Sequence, residues 1–359
     1  MPQGMVGWEM RKLRYNHTIL LLLLALMVLK GVFLGLEVKE NPITRQELFY
    51  RDYMTRMSGV LTPEKEQMIH EEQIRLEDAV QLRGEVLHID VTDEQQLEQI
   101  WQTIHDAVQR EDAFARFYDR YTSLLAEPNT QRQANMSLVY DTGWNKLLQG
   151  GYDFFAYLCI AVLASILITQ EHDSRFWPIL CTTARGRSVL FRTKLQFAAL
   201  LSGTLALLFW LSDIALVDAL YSLPDPGVTL MSLADYREVP ATWTLGGYLA
   251  VLGILRLLST VGMTLLFTAL SAVLKNGLIT LLITVVTVPL PAMIFSSDGL
   301  PWRPSDLLDG DALLHRGFAT HAWQTTAIVT IYLFICTAAI CFAYTRYDRN
   351  IRKRREKIT

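Results

Sequence analysis

The chain has 359 residues, of which 51% are hydrophobic and 19% are charged, and its formal net charge at pH 7 is −3. No basic stripe with interleaved aromatic residues is present, which argues against nucleic-acid binding. The segment 37–150 contains no cysteine, so a disulfide framework is excluded there. The four cysteines lie elsewhere, at Cys159, Cys181, Cys336 and Cys341.

Six apolar runs approach or exceed the roughly 18 to 20 residues that a helix needs to cross a bilayer. They cover approximately residues 17–36, 152–169, 195–217, 245–274, 277–295 and 323–344. The fifth run contains Pro289 and Pro291, where we expect a kink or an early end of the helix. The runs predict an all-α polytopic membrane protein with six transmembrane helices.

The first 36 residues have two interpretations. Arg11, Lys12 and Arg14 before a leucine-rich run resemble the charged and hydrophobic regions of a secretory signal peptide. However, Lys30 interrupts the run and no A-x-A cleavage site follows it. We therefore interpret residues 1–16 as a cytosolic amphipathic segment and 17–36 as the first span.

The basic residues indicate the orientation. They are concentrated in three segments, which are residues 1–16, the loop 170–194 and the tail 346–359. With six spans, all three segments fall on one side of the membrane, which the positive-inside rule identifies as the cytoplasm. We expect a multi-pass protein of the cell membrane with both termini cytoplasmic.

The segment 37–150 then lies outside the cytoplasm as a mostly helical domain. A capped helix start is predicted at Thr62 and Pro63, followed by apolar residues at helical spacing. A second pattern follows through Leu97, Ile100, Trp101, Ile104 and Val108. The segment has 21 Asp or Glu against 12 Lys or Arg, which is typical of a solvated helical surface. A binding site for a cationic peptide is the alternative.

The loop 170–194 has the sequence QEHDSRFWPILCTTARGRSVLFRTK and is longer than a connector needs to be. Its apolar and aromatic residues beside arginines suggest a surface that docks another protein. The alternative is an interfacial helix that lies on the membrane, with Trp177 at headgroup depth and the arginines on anionic lipid.

Four ionisable residues lie inside the predicted spans or at their edges, where charge is costly and often functional. We expect Asp153 and Lys30 to reach the interface by snorkelling. Arg256 lies about ten residues, or roughly 15 Å, into the fourth run, too deep for this. We expect Arg256 to face a polar cavity or to pair with Asp213. These two residues are candidate pathway positions.

The sequence has no evident catalytic constellation. No G-x-x-x-x-G-K-[ST] phosphate loop occurs. His70 and Glu71 begin an H-E-x-x-H pattern, but Ile74 stands where the second histidine is required, which argues against a zinc peptidase. We therefore expect a non-catalytic chain that binds no metal or cofactor of its own.

The architecture resembles bacterial permeases of type-2 ABC exporters, the ABC-2 class, with a large extracytoplasmic insert between spans one and two. The sharpest local likeness is in the loop, at Glu171, Leu180, Thr182, Thr183, Gly186, Arg187 and Lys194. The glycine that family members often carry shortly after the acidic residue is absent, and Arg175, Phe176 and Trp177 occupy this region.

The resemblance implies that the loop forms a coupling helix in a cleft of a separate ATPase subunit, which binds ATP and Mg. A second permease copy or a paralogue would complete the pathway. The apolar anchor would be Phe176, Trp177, Ile179 and Leu180. The polar rim would be Glu171, Arg185 and Arg187, with Gly186 beside them.

Two other function classes stay open. One is an ABC-linked peptide-sensing or mechanotransmission protein, although such proteins often have four or ten spans. The other is a receptor or scaffold without a motor, which would recognise a ligand through residues 37–150. The acidity of that segment mildly favours an antimicrobial peptide over a drug, a lipid-linked precursor or an ion as the substrate.

Overall fold

The computed structural model describes residues 7, 11, 17–40, 44–59, 62–85, 94–127, 135–151, 153–173, 186–295 and 302–355. These residues are mostly helical. Two isolated antiparallel bridges, Gly59 with Leu138 and Thr229 with Thr244, are the only β pairing within these ranges. The prediction of an all-α chain is confirmed to this extent.

The helices are numbered here in chain order. They are α1 (His17–Glu40), α2 (Arg45–Arg56), α3 (Pro63–Glu85), α4 (Glu94–Leu125), α5 (Thr142–Leu148), α6 (Phe154–Asp173), α7 (Gly186–Tyr221), α8 (Leu245–Leu274), α9 (Gly277–Thr287), α10 (Pro289–Ile294), α11 (Pro304–Asp309) and α12 (Ala319–Arg355). Two 3₁₀ turns cover Leu230–Ser232 and Ala234–Tyr236, and a π-helical segment covers Ala312–Phe318.

Four helical stretches of the described chain are long and apolar enough to cross a membrane. They are Val189–Tyr221, Leu245–Leu274, Gly277–Ile294 and Ala322–Thr345. Two shorter apolar stretches, Leu21–Phe33 and Phe154–Thr169, fall on α1 and α6. The chain is consistent with a membrane protein, and four of the six predicted spans meet the length and composition needed.

Two helix boundaries can be compared with the sequence expectations. The fifth apolar run is interrupted at Val288, between α9 and α10, as the prolines predict, because Pro289 has no backbone N–H to donate. The third helix begins at Gly186, well before the predicted start at residue 195. Lys194, expected at the entrance of this span, lies inside the helix and is buried.

The chain divides into two compact units. The first, called here the membrane unit, comprises Met1–Phe33, Lys146–Leu220 and Leu249–Thr359. The second, called the insert unit, comprises Leu34–Asn145 and Tyr221–Tyr248. The sequence prediction of an insert built from residues 37–150 alone missed the second of these segments.

Within the insert unit, α4 packs against α2 and α3. Helix α3 begins at Pro63 as predicted, and the side chain of Thr62 accepts a hydrogen bond from the backbone N–H of Lys65 at 3.4 Å. Helix α2 was not predicted, although Thr44 and Glu47 have the spacing of a capping box. The Thr44 side chain does accept the N–H of Glu47.

Aromatic residues form the core of the insert unit, as packing without disulfides requires. The rings of Tyr53 and Phe114 lie 5.4 Å apart, and those of Tyr53 and Phe117 lie 5.8 Å apart. Phe117 is fully buried. Because Phe114 and Phe117 continue the apolar face beyond Val108, helix α4 extends to Leu125, well past the predicted pattern.

Hydrogen bonds connect the second segment of the insert unit to the first. The buried guanidinium of Arg120 donates to the backbone carbonyl of Ser232. The indole of Trp144 donates to the carbonyl of Pro224 at 3.0 Å. The hydroxyl of Thr229 donates to the carbonyl of Asn135 at 2.6 Å. These bonds make two segments that are far apart in sequence into one unit.

A partly buried polar network lies beside this core. Glu47 accepts hydrogen bonds from the hydroxyl of Tyr140 and from the guanidinium of Arg116, each at 2.7 Å. Burial alone would raise the pKa of Glu47, but the hydrogen bonds from Tyr140 and Thr142 and the charge of Arg116 lower its pKa overall. The folded insert unit therefore favours the ionised form of Glu47.

This shift makes the stability of the insert unit depend on pH. Because the pKa of Glu47 is lower in the folded state, its stabilisation is present above the ordinary value of 4.5. The stabilisation is lost as the pH falls through the lowered value. Glu47→Gln should cost about 1–2 kcal/mol at neutral pH and should weaken the acid dependence, measured as amide hydrogen exchange in α2 and α4.

The matched control is Glu71→Gln. Glu71 is exposed on α3 and accepts a hydrogen bond from Gln67, one turn away, at 2.8 Å. The control should leave the exchange profile unchanged. Equal acid sensitivity in wild type and Glu47→Gln would contradict the role given to Glu47.

Candidate functional site

Five charged side chains from five different elements meet inside the membrane unit. Lys30 lies on α1, Asp153 directly precedes α6, Asp213 lies on α7, Arg256 lies on α8, and Asp309 ends α11. In hydrocarbon, such groups need partners because water is not available to solvate them. The ion pairs form two groups, Lys30 with Asp153 and Asp213, and Arg256 with Asp309. Because members of both groups line one cavity, the five side chains are together called the charged cluster.

Lys30 is the cation that connects three helical elements in this cluster. Its ammonium donates to the carboxylate of Asp153 and forms an ion pair with Asp213 at 2.5 Å. It also lies over the ring of Phe209, 4.8 Å from the centroid. Only 8% of Lys30 is exposed. Lys30 is therefore buried with ionic partners inside the unit instead of snorkelling to the interface, whereas the expectation for Asp153 stays a prediction.

Asp153 is held by the start of α6 as well as by Lys30. One carboxylate oxygen accepts the backbone N–H groups of Phe155 and Ala156, each at 3.0 Å. These groups are free at a helix N-terminus, where the helix dipole also favours an anion. The other carboxylate oxygen faces Lys30. Asp153 is thus held in place by three donors, two backbone N–H groups and the Lys30 ammonium.

Arg256 pairs with Asp309, whereas the sequence analysis named Asp213 as its partner. Its guanidinium donates to the backbone carbonyl of Asp309 at 2.6 Å, to its carboxylate at 3.3 Å and to the carbonyl of Gly151 at 3.0 Å. It also stacks over the ring of Trp210, 4.6 Å from the centroid. Lys30 takes the carboxylate of Asp213 instead.

The approach of α11 to Arg256 requires a glycine. Gly310 follows Asp309 with φ of +77°, a conformation that favours glycine. A Cβ atom at position 310 would lie 3.2 Å from the Leu252 side chain and 3.3 Å from Cγ of Arg256. A side chain here would displace the aspartate carbonyl that Arg256 contacts.

Arg256 lines a cavity of the membrane unit whose wall is mainly apolar and aromatic, and the expectation that this cavity is polar stays a prediction. Arg256 and two of the carboxylates line one cavity of the membrane unit. The polar or aromatic lining residues are Asp153, Tyr157, Phe209, Trp210, Asp213, Arg256 and Thr260. Both charge signs are therefore present at its wall, beside aromatic surface.

The predicted docking loop is only partly within the described residues. Phe176, Trp177, Ile179, Leu180 and Arg185 lie outside them. The backbone of Glu171 is in the last turn of α6, and Gly186 and Arg187 open α7. The structure thus describes the two helices on either side of the loop.

The helix ends beside this loop are packed tightly together. The buried ammonium of Lys194, on α7, donates to the backbone carbonyl of Leu167 on α6. An apolar cluster joins the same ends to α8 and α12, through Ile168, Phe191, Ala269, Ala272 and Ala343. Gly277, which opens α9, approaches α6 so closely that a Cβ would lie 3.0 Å from the Thr169 hydroxyl.

Comparison of the chain with known proteins adds no information about this site or its chemistry. No known protein family, curated protein or solved structure matches the chain. Within the described ranges, no group of three or more His, Cys, Asp or Glu side chains is arranged to hold a metal ion. The arrangement seen here holds two cations and three carboxylates beside one cavity.

Breaking the Arg256–Asp309 pair should destabilise the membrane unit. Arg256→Leu leaves a buried carboxylate without its cation and should cost about 3–5 kcal/mol. In the double variant with Asp309→Asn, the total loss should be smaller than the sum of the single losses, because the side chains interact. Unfolding in lipid nanodiscs measures all three variants.

Arg192→Leu is the matched control. Arg192 is exposed on α7, lies over the ring of Tyr344 at 5.5 Å from the centroid and makes a long hydrogen bond of 3.5 Å to its hydroxyl. Its loss should stay within about 0.5 kcal/mol. Additive losses for Arg256 and Asp309 would show that the pair is not energetically coupled.

Proposed function

We propose that the chain is the membrane-spanning permease subunit of an ATP-binding cassette exporter. A separate ATPase subunit docks on the loop 170–194 and supplies the free energy. The observation that carries this proposal is the tight packing of the helix ends on either side of that loop. The likeness of the loop to the coupling segment of ABC-2 permeases indicates export as the direction of transport.

Helix lengths support six crossings. Helices α1 and α6 have 24 and 20 residues, which correspond to about 36 and 30 Å at 1.5 Å per residue. The hydrocarbon core of a bilayer is about 30 Å thick. Lys30 lies within the apolar stretch of α1, and Asp153 directly precedes α6. These charges are paired, which lowers the cost of placing them in the membrane.

The assembly of the insert unit from two chain segments also supports six membrane crossings. Its segments Leu34–Asn145 and Tyr221–Tyr248 are joined by Lys146–Leu220, which contains α6 and α7. One compact unit cannot form from segments on opposite sides of a bilayer. The joining stretch must cross an even number of times, so α6 crosses if α7 does.

The number of later crossings gives the orientation of the chain in the membrane. From Tyr248 to the tail, the chain passes through three membrane-length stretches, namely Leu245–Leu274, Gly277–Ile294 and Ala322–Thr345. An odd number of crossings puts the tail opposite the insert unit. The tail is basic and belongs in the cytoplasm. Both termini are then cytoplasmic, and the insert unit is extracytoplasmic.

The packing at the loop has a mechanical consequence. A push on the loop acts on α6 and α7 together, because the Lys194 ammonium joins them and a shared apolar cluster fixes both to α8 and α12. Closely packed interiors transmit displacement. ATP and Mg bind in the partner, and a second copy or a paralogue of this chain encloses the pathway.

A second candidate function is a peptide-sensing or mechanotransmission subunit of an ABC system. It is favoured by the insert unit, which has its own aromatic core and takes in chain segments after α1 and after α7. In this case, movement of the spans changes the insert unit instead of opening a pathway. Both functions require the same ATPase partner.

The first test concerns that partner. Purification of the full chain in mild detergent should recover a stoichiometric ATPase subunit and vanadate-sensitive ATP hydrolysis. Phe176→Ala with Trp177→Ala should remove both, because truncating buried aromatic anchors typically costs about 2 kcal/mol or more each. This corresponds to at least a tenfold loss of partner for each residue.

Trp101→Ala is the matched control, since Trp101 is an exposed aromatic residue of the insert unit and should not affect the partner. A preparation with no nucleotide-binding subunit would contradict the proposal. Retention of the subunit in the double variant would instead favour a loop that rests on lipid.

The second test concerns the orientation. In a background without the four cysteines, Gln67→Cys and Glu238→Cys test exposed positions in the two segments of the insert unit. A membrane-impermeant maleimide should label both in intact cells. Lys357→Cys in the tail should react only after permeabilisation. Labelling of Glu238→Cys without Gln67→Cys would show that α6 does not cross the membrane.

A further inference from the structure

We propose that Asp213 binds a proton at neutral pH and that the charged cluster of the membrane unit is therefore a proton-binding site. The inference depends on membrane insertion of this unit and does not depend on the ATPase partner. It concerns a different part of α7 from the loop.

The charges of the cluster do not balance. Two cations, Lys30 and Arg256, face three carboxylates, Asp153, Asp213 and Asp309. Arg256 is matched by Asp309, which leaves Lys30 shared by two carboxylates. An uncompensated charge in hydrocarbon is costly, and two carboxylates that share one site do not readily both ionise. One further positive charge is needed, and a proton supplies it.

The donors around Asp153 and Asp213 indicate which of the two carboxylates takes the proton. Asp153 accepts two backbone N–H groups at 3.0 Å and lies at the positive end of α6. Its two carboxylate oxygens are thus occupied by three donors, the two N–H groups and the Lys30 ammonium. The only ion pair of Asp213 within the described residues is with Lys30, and no helix N-terminus supports it. Asp213 is therefore the more easily protonated partner.

The cavity gives a proton access to Asp213. The side chains of Asp153 and Asp213 keep 20% and 24% of their surface exposed, and both line the cavity beside Arg256. A proton can therefore reach Asp213 without separation of the helices. The charged groups that face Asp213 are Lys30 from α1, Asp153 from the start of α6 and Arg256 from α8.

Protonation changes how the helices are held. With Asp213 neutral, Lys30 and Asp153 form a balanced pair between α1 and α6. With Asp213 ionised, α7 also attracts Lys30, and an excess negative charge faces the cavity. That charge would favour a cationic group in the cavity, so proton release and binding of a cation are linked at this position.

The experiment is infrared difference spectroscopy on the full chain in lipid nanodiscs at neutral pH. We expect the carbonyl stretch of a protonated carboxyl group in wild type and its loss in Asp213→Asn. Asp153→Asn should also remove the band, because Lys30 then neutralises Asp213 alone. Lys30→Met should retain the band, since no cation is left to stabilise both carboxylates.

Asp218→Asn is the matched control, because Asp218 is exposed on the same helix and should leave the band unchanged. If Asp213→Asn does not fold, Asp213→Glu keeps the carboxyl group and should move the band without abolishing it. The proposal is overturned if wild type shows no such band or if the band survives Asp213→Asn. These outcomes are independent of ATPase binding.

Discussion

A bilayer provides no water to satisfy buried polar groups, and this constraint explains most of the specific contacts in the membrane unit. Lys30 and Arg256 each combine ionic partners with an aromatic ring. Lys194 has a backbone carbonyl as its acceptor. Hydroxyl groups along α8 follow the same rule, since Thr264 and Thr268 each donate to a carbonyl one turn earlier. Charge and hydroxyl groups are therefore accommodated wherever a neighbouring element offers the complementary atom.

The insert unit is stabilised differently, because its two segments contain no cysteine and have to fold without disulfides. Two separate chain segments contribute to it, and buried bonds such as that from Arg120 to Ser232 join them. This composition restricts the topology, because both segments need to lie on one side of the bilayer. The contacts between the two segments of the insert unit therefore bear on whether α6 of the membrane unit crosses the bilayer.

Local features of the fold could be predicted from the sequence, whereas the partners of its charged residues could not. The start of α3 at Pro63 and the break before Pro289 follow from the residues themselves, through capping and the missing proline N–H. The pairing of Arg256 with Asp309 joins residues 53 positions apart, for which spacing gives no signal. Asp213 was equally plausible on sequence grounds, and Lys30 decides the outcome only through tertiary packing.

Helix α7 connects the two regions on which the proposals depend. Lys194, in the tightly packed end beside the loop, and Asp213, in the charged cluster, lie on this one helix. At 1.5 Å per residue they are about 28 Å apart, close to the thickness of the hydrocarbon core. The first end is held by apolar packing and one buried ammonium, which resist separation. The second end is held by ionic contacts beside a cavity, where a proton can change the number of charges. A rigid helix with one firmly packed end and one charged, accessible end would carry a displacement at the loop to the cluster, where the contacts can rearrange.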